Sequence, residues 1–225
     1  MRVTRGWLIA ALLIAGCDAH LGPDEGPTRV RFVNAVPDAL SPLEFVLQGG
    51  PSTVLARGAA SDYLAVDGKQ YALSVHDDSD GWTVSGDLNI VPGLNQTLIA
   101  FSDASDPGAL LVSDEPGTAR TGQFLIRFLH LAPHLTSALD VHFLQTGEVI
   151  NPGSAAVTDL TYPANGEHFA VNVGTWRVVL SDAGTSDIVL DSGPLDFASR
   201  TNHTVVIYNE DDATPRLIHL IDQQQ

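Results

Sequence analysis

The chain has 225 residues, 27 acidic against 11 basic, and a net charge of −16. A phosphate backbone or an anionic lipid surface would repel it, which argues against nucleic acid as a partner. Its single cysteine can form no internal disulfide, so stability has to come from apolar burial, and the length allows two modest cores.

The chain opens with Arg2 and Arg5 and no acid, followed by the apolar run Trp7 to Cys17, 11 residues long. A spanning helix needs about 20 apolar residues, whereas a signal-peptide core of ~7–15 fits this run. Ile14, Ala15 and Gly16 place two small residues directly before Cys17. This pattern resembles the bacterial lipoprotein signal. The resemblance implies cleavage after Gly16, a diacylglyceryl group on the Cys17 thiol and a further acyl chain, such as palmitate, on the new N-terminus. Two or three chains anchor a protein stably. Residues 1–16 are then the signal peptide and 17–27 a lipidated tether, with the membrane as a partner through Cys17. Asp18 resembles the inner-membrane retention signal of enteric bacteria, and the choice of inner or outer membrane stays open. The alternative is an ordinary secretory signal, which would release a soluble chain.

From residue 28 the pattern is β throughout. Short alternating runs rich in β-branched and aromatic residues recur between Gly, Pro, Asn and Asp, and no window has a helical period. The expected strands of a first domain (28–115) are 29–36, 43–48, 53–57, 61–66, 70–77, 82–90, 95–102 and 109–113. A linker, 116–122, lies within "SDEPGTARTG". In a second domain (123–222) the strands are 123–131, 139–145, 155–161, 167–173, 176–181, 187–197, 203–209 and 215–221. Eight short strands per copy predict tandem all-β sandwiches of immunoglobulin type.

The two domains are a duplication. "VRFVNAVPDALSPLEFVL" (30–47) aligns with "IRFLHLAPHLTSALDVHF" (126–143), with Arg31, Phe32, Pro37, Ser41 and Glu44 each 96 residues before Arg127, Phe128, Pro133, Ser137 and Asp140. "SGDLNIVPGLNQTLIAF" (85–101) aligns with "SGPLDFASRTNHTVVIY" (192–208) at an offset of 107. The second copy therefore carries 11 extra residues, expected in "QTGEVINPGSAAVTD". The opening segments, and "SDYLAVDGKQYALSV" after the first of them, resemble the bacterial domain-of-unknown-function family 4397 over nearly all of 28–222, as two copies. Val36 and Ala132 stand where that family usually has serine, and His134 where it has an acid. The resemblance implies an exported protein, often lipid-anchored, and no established activity.

Little in the sequence points to chemistry. His130 and His134 are four apart with Asp140 and His142 nearby, but Pro133 lies between them and the local pattern is strand then turn, so the helical zinc-pair logic fails. A strand-end histidine and an exposed turn histidine are expected instead. Asp191-Ser192-Gly193 resembles the aspartic-protease turn, yet the equivalent triplet Val84-Ser85-Gly86 lacks the second acid that such an enzyme needs. A strand bulge at Gly193 is the simpler reading. Arg31 with Glu44, and Arg127 with Asp140, are expected as cross-strand structural pairs. The acidic turns gather short oxygen ligands, with Asp77, Asp78, Asp80, Asp103 and Asp106 as candidate calcium ligands, although no complete ligand series is present.

With eight alternating strands, each domain should receive and release the chain at one pole and collect its acidic turns at the other. The expected role is a non-catalytic binding or surface-presentation module with an envelope protein or glycan partner and no cofactor beyond the candidate Ca2+. The rivals are a purely structural envelope component and a hydrolase with an unfamiliar site.

Overall fold

The structure is a computed structural model describing residues 26–37, 41–78, 83–101, 107–210 and 213–222. Cys17, Asp80, Asp103 and Asp106 lie outside the described residues. The chain divides into two compact units, the first ending at Glu115 and the second running from Pro116 to Asp222. Among the described residues, no helix is long and apolar enough to cross a membrane.

The first unit contains β1 (Arg29–Asn34), β2 (Leu43–Leu47), β3 (Ser52–Leu55), β4 (Leu64–Ala65), β5 (Gln70–Asp77), β6 (Thr83–Asn89), β7 (Asn95–Phe101) and β8 (Gly108–Ser113). They form two four-stranded sheets, β4-β1-β7-β8 and β3-β2-β5-β6. Period-two alternation explains the packing. Leu43, Phe45 and Leu47 of β2 turn inward, while Glu44 and Val46 between them are half-buried. They meet Val30 and Phe32 from β1, with the Phe32 and Phe45 rings 5.4 Å apart. Each such side chain, buried to within a few per cent, contributes about 1.5–3 kcal/mol.

The second unit contains β9 (Gln123–His130), β10 (Leu139–Leu144), β11 (Val157–Leu160), β12 (Ala164–Asn165), β13 (Phe169–Asn172), β14 (Gly174–Asp182), β15 (Ile188–Phe197), β16 (Asn202–Asn209) and β17 (Pro215–Asp222). Its sheets are β11-β10-β14-β15 and β12-β9-β16-β17, with β13 also on β9. The order repeats that of the first unit strand for strand. Phe169 faces Ile126 as Leu64 faces Val30, so β13 corresponds to β4, and β12 corresponds to the isolated bridge of Ala60 to Val33. The all-β sandwich expectation holds in both units. The strand order differs from the ABED/CFG pairing of a constant immunoglobulin domain, because the first strand stands between the fourth and the seventh.

Most of the extra residues lie where the sequence places them. Leu55 and Leu160 face Leu43 and Leu139 at an offset of 105, against 96 for the preceding strands. Nine of the eleven thus enter between β10 and the end of β11, around a 3-10 turn at Pro152–Ser154 whose first amide is capped by Asn151. The other two enter at two separate register slips of β15 against β14, one beside Gly193, φ 67°, and one at Val189. The Asp-Ser-Gly triplet is therefore a bulge, with Asp191 accepting from Gly193 N at 2.9 Å.

β7 runs parallel to β1 and β8 returns antiparallel, so the first residue of β1 and the last of β8 share one pole. Arg29 N donates to Leu94 O and Asp114 N to Asn95 O at that pole. The turn after Asp77 lies at the other pole, because Asp77 faces Leu43, at the start of β2, in register. The second unit has the same arrangement, with β16 parallel to β9.

Residues 116–122, expected as the linker, pack on the second unit. Gly117 O accepts from Asn202 Nδ2 at 3.1 Å, Gly122 N donates to Ser199 Oγ at 2.9 Å, and Ala119 is buried.

Candidate functional site

Arg31 and Glu44 do not pair. They lie on strands of different sheets and on alternating positions whose neighbours fill the core, so the two side chains leave the sandwich on opposite faces. The same separation parts Arg127 from Asp140. Each arginine instead joins a buried cluster built by the parallel pairing of first and seventh strands. Arg31 faces Thr97 in register and donates to its Oγ1 from Nε at 3.1 Å and from Nη2 at 2.9 Å. Thr97 Oγ1 donates to Asp114 Oδ2 at 2.6 Å, and Arg31 Nη2 is 3.7 Å from the same oxygen. Tyr63 closes the cluster, with its hydroxyl 2.7 Å from Asp114 and its ring 4.6 Å from the guanidinium.

The second unit repeats the cluster. Arg127 Nε donates to Thr204 Oγ1 at 2.9 Å, and Thr204 donates to Asp222 Oδ2 at 2.8 Å. His168, the equivalent of Tyr63, approaches Asp222 at 3.8 Å. Arg31, Asp114, Arg127 and Asp222 are each no more than 4% exposed, so these clusters tie the end of the last strand to the first and offer a ligand no open face. The two arginines are structural residues whose partners differ from the carboxylates expected.

Glu44 meets His76 Nε2 at 3.3 Å on the outside of its sheet. Asp140, at the equivalent position, is buried and takes two backbone amides, Asp159 N at 3.0 Å and Gly184 N at 2.8 Å. It pins the insert and the β14–β15 turn to β10.

The acidic turns divide. Asp77 is 7% exposed and sits inside the end of β5, whereas Asp78 is exposed. Among the described residues no group of three or more His, Cys, Asp or Glu side chains is placed to hold a metal ion.

Five of the eight histidines are drawn into the second unit with their pKa lowered, and burial is the first cause for all of them. His130 ends β9 as expected. It is fully buried, its Nδ1 accepts from Ala132 N at 3.4 Å, its Nε2 makes no hydrogen bond, and burial pushes it down to about 4, with a backbone contact at Leu135 opposing. Asn34 holds the same position in the first unit with both ends of its amide, accepting from Val36 N and donating to Leu55 O. His134 is an exposed turn residue. His142 Nε2 lies 3.1 Å from Ser181 Oγ, a contact the sequence did not disclose. That spacing suits a nucleophile and its base, but Nδ1 has no orienting partner, Asp140 spends its oxygens on amides, and Ser181 has no exposed surface. The arrangement is a buried hydrogen bond.

His203 and His219 were likewise not singled out by sequence. Val205 faces His219 in register, so both rings point into the sandwich, stacked at 5.0 Å with His203 Nδ1 2.9 Å from His219 Nε2. A widened groove lined by Gly49, Gly50, Pro51, Ala65, Val66, Asp67 and Tyr71 lies at the opposite pole of the first unit from the Asp77 turn, with a volume of about 480 Å³.

The profile of the family described as Domain of unknown function (DUF4397) matches residues 28–142, just over half of the chain. The match spans the first unit and continues into the first two strands of the second. No curated protein matches the chain. The chain belongs to the DUF4397 family.

Proposed function

Starting from membership of a family whose own function is unknown, we propose that this is a lipid-anchored bacterial envelope protein carrying two tandem copies of the family domain, and that it binds rather than catalyses. Cys17 bears the lipid, the second unit is the second copy, and the partner is a protein or glycan of the envelope. The observation that carries this reading is the single pole at which the first unit receives and releases its chain. A tether leading to Arg29 then leaves the outgoing ends of β1, β5 and β7 on the far side, where loops are the usual carriers of recognition. The acid-rich sequence that follows β5 and β7 suits a basic partner surface or Ca2+. The strand-for-strand repetition of topology supports the second copy.

Two measurements test the reading. Cys17→Ser should abolish labelling by palmitate, and undiminished labelling would refute the anchor. A variant with Asp78, Asp80, Asp103 and Asp106 changed to Asn, which spares the buried Asp77, should lose calcium heat in calorimetry or lose partners captured from envelope extract. If wild type and variant match in both assays, the turns serve solubility and the protein is a spacer.

A further inference from the structure

The His203–His219 contact is part of a directed chain of hydrogen bonds. Thr201 Oγ1 donates its one proton to Ala198 O at 2.8 Å, so it accepts from His203 Nε2 at 2.7 Å. With both rings neutral, that assignment leaves His203 Nδ1 bare, and His219 Nε2 donates to it across 2.9 Å. In this neutral state the chain of bonds fixes the β15–β16 turn, β16 and β17 to one another. The pair sits at an open side of the sandwich, where β15 ends one sheet and β17 the other. There His203 packs edge-on against Phe124 at 5.5 Å and Phe197 at 5.0 Å, and His219 lies 5.2 Å from Phe197. Phe124 and Phe197 are themselves stacked at 4.4 Å across the two sheets.

One proton can be shared. A protonated His203 still finds an acceptor if His219 moves its own proton to Nδ1. Two protons cannot be shared, because the facing nitrogens then both carry hydrogen and two cations stand with centroids 5.0 Å apart among aromatic rings. The surrounding charges are few. Asp222 on β17 attracts protons to both rings. His168 competes for the same carboxylate, Arg127 on β9 reaches it through Thr204, and β15 contributes the Phe197 ring. The first unit has no counterpart, since Gln96 and Leu111 stand where the second has His203 and His219.

We propose that the His203–His219 pair is an acid-opened latch: a second proton parts β17 from β15 and uncovers the Phe124–Phe197 stack while the first unit stays closed. The pair binds one proton with the latch shut and opens with the next, so the response is confined to one edge of one unit. This places a pH sensor of the kind histidine supports in the second copy alone.

The test is hydrogen exchange on the full chain from pH 7.5 to 4, corrected for intrinsic rates. Segments 188–201 and 215–222 should lose at least tenfold protection between pH 6 and 4, before segments 95–101 and 108–113 change. His219→Gln, whose amide can donate to or accept from His203 but cannot carry a charge, should remove most of that acid loss. Equal loss of protection in both units would overturn the proposal, as would a His219→Gln profile matching wild type, which would assign the acid response to His130, His142 or His168. Should the variant fold poorly, imidazole titration of the wild type decides. Two separated, mutually dependent steps for His203 and His219 are required, and independent titration near 6.5 for both rings refutes the latch.

Discussion

His130→Asn isolates the cost of burying a titratable ring where the sister unit uses a neutral amide. His130 is fully buried with its pKa lowered from 6.5 to about 4. The unfolded chain therefore binds a proton that the folded chain refuses, and the stability this group contributes above pH 6.5 is lost as pH falls from 6.5 toward 4. A drop of that size corresponds to about 3 kcal/mol at pH 4. Asparagine removes that loss. It also offers the donor that Asn34 supplies to Leu55 O, toward the equivalent carbonyl of Leu160, worth about 1 kcal/mol. Against this stands the lost contact of the imidazole with Tyr162, whose ring centroid is 5.9 Å away, at roughly 1–2 kcal/mol. At pH 7 the variant should match wild type within about 1 kcal/mol, and at pH 4 it should be about 3 kcal/mol more stable. Urea unfolding of the full chain at both pH values, followed through NMR signals of Val141 and Val205 in the second core, reads the difference. A variant whose stability falls with acid as steeply as wild type would refute the assignment of His130 as a buried neutral ring.

Asp114→Ala should destabilise the first unit by about 3–5 kcal/mol, because Arg31 is left charged and buried beside Thr97, and thermal unfolding will show it. Asp140→Ala should cost roughly 2–4 kcal/mol by stranding the Asp159 and Gly184 amides, with faster exchange of those two amides as the local readout. Gly193→Ala forces a side chain into φ 67° at the β15 bulge and should cost about 1 kcal/mol in denaturant unfolding.

Much of the fold was legible because alternation leaves its mark on every strand. β5 lies at 70–77 as the pattern of "QYALSVHD" requires, and β9 and β16 fall within a residue of expectation. The matched sequence blocks also pointed at Thr97 and Thr204 before their role was visible, since both lie within them. What was not legible depends on which sheet a strand joins. Arg31 and Glu44 look like neighbours along the chain, and only the insertion of β1 between β4 and β7 separates them and brings in Asp114, a residue at the edge of an apparent linker. His203 and His219 lie sixteen residues apart, and their meeting rests on the β16–β17 register, which composition does not encode. The contacts of the linker were hidden for a similar reason. "EPGTART" has the composition of a spacer, and its docking on Asn202 and Ser199 follows from contacts made at a distance.

The place of β1 between β4 and β7 also governs how the chain can fold as it is made. The first strand waits for a parallel partner some 66 residues downstream, so neither sandwich can close its second sheet until almost the whole unit has emerged. During that wait β1 and β9, with the related sequences "RVRFVN" and "FLIRFLH", compete for the same kind of seat beside β7 or β16. Strand exchange between the two units is the characteristic error of a chain with two such similar units. Divergence at Asn34 and His130, and at Tyr63 and His168, gives each first strand a different set of partners, so the two seats are not interchangeable.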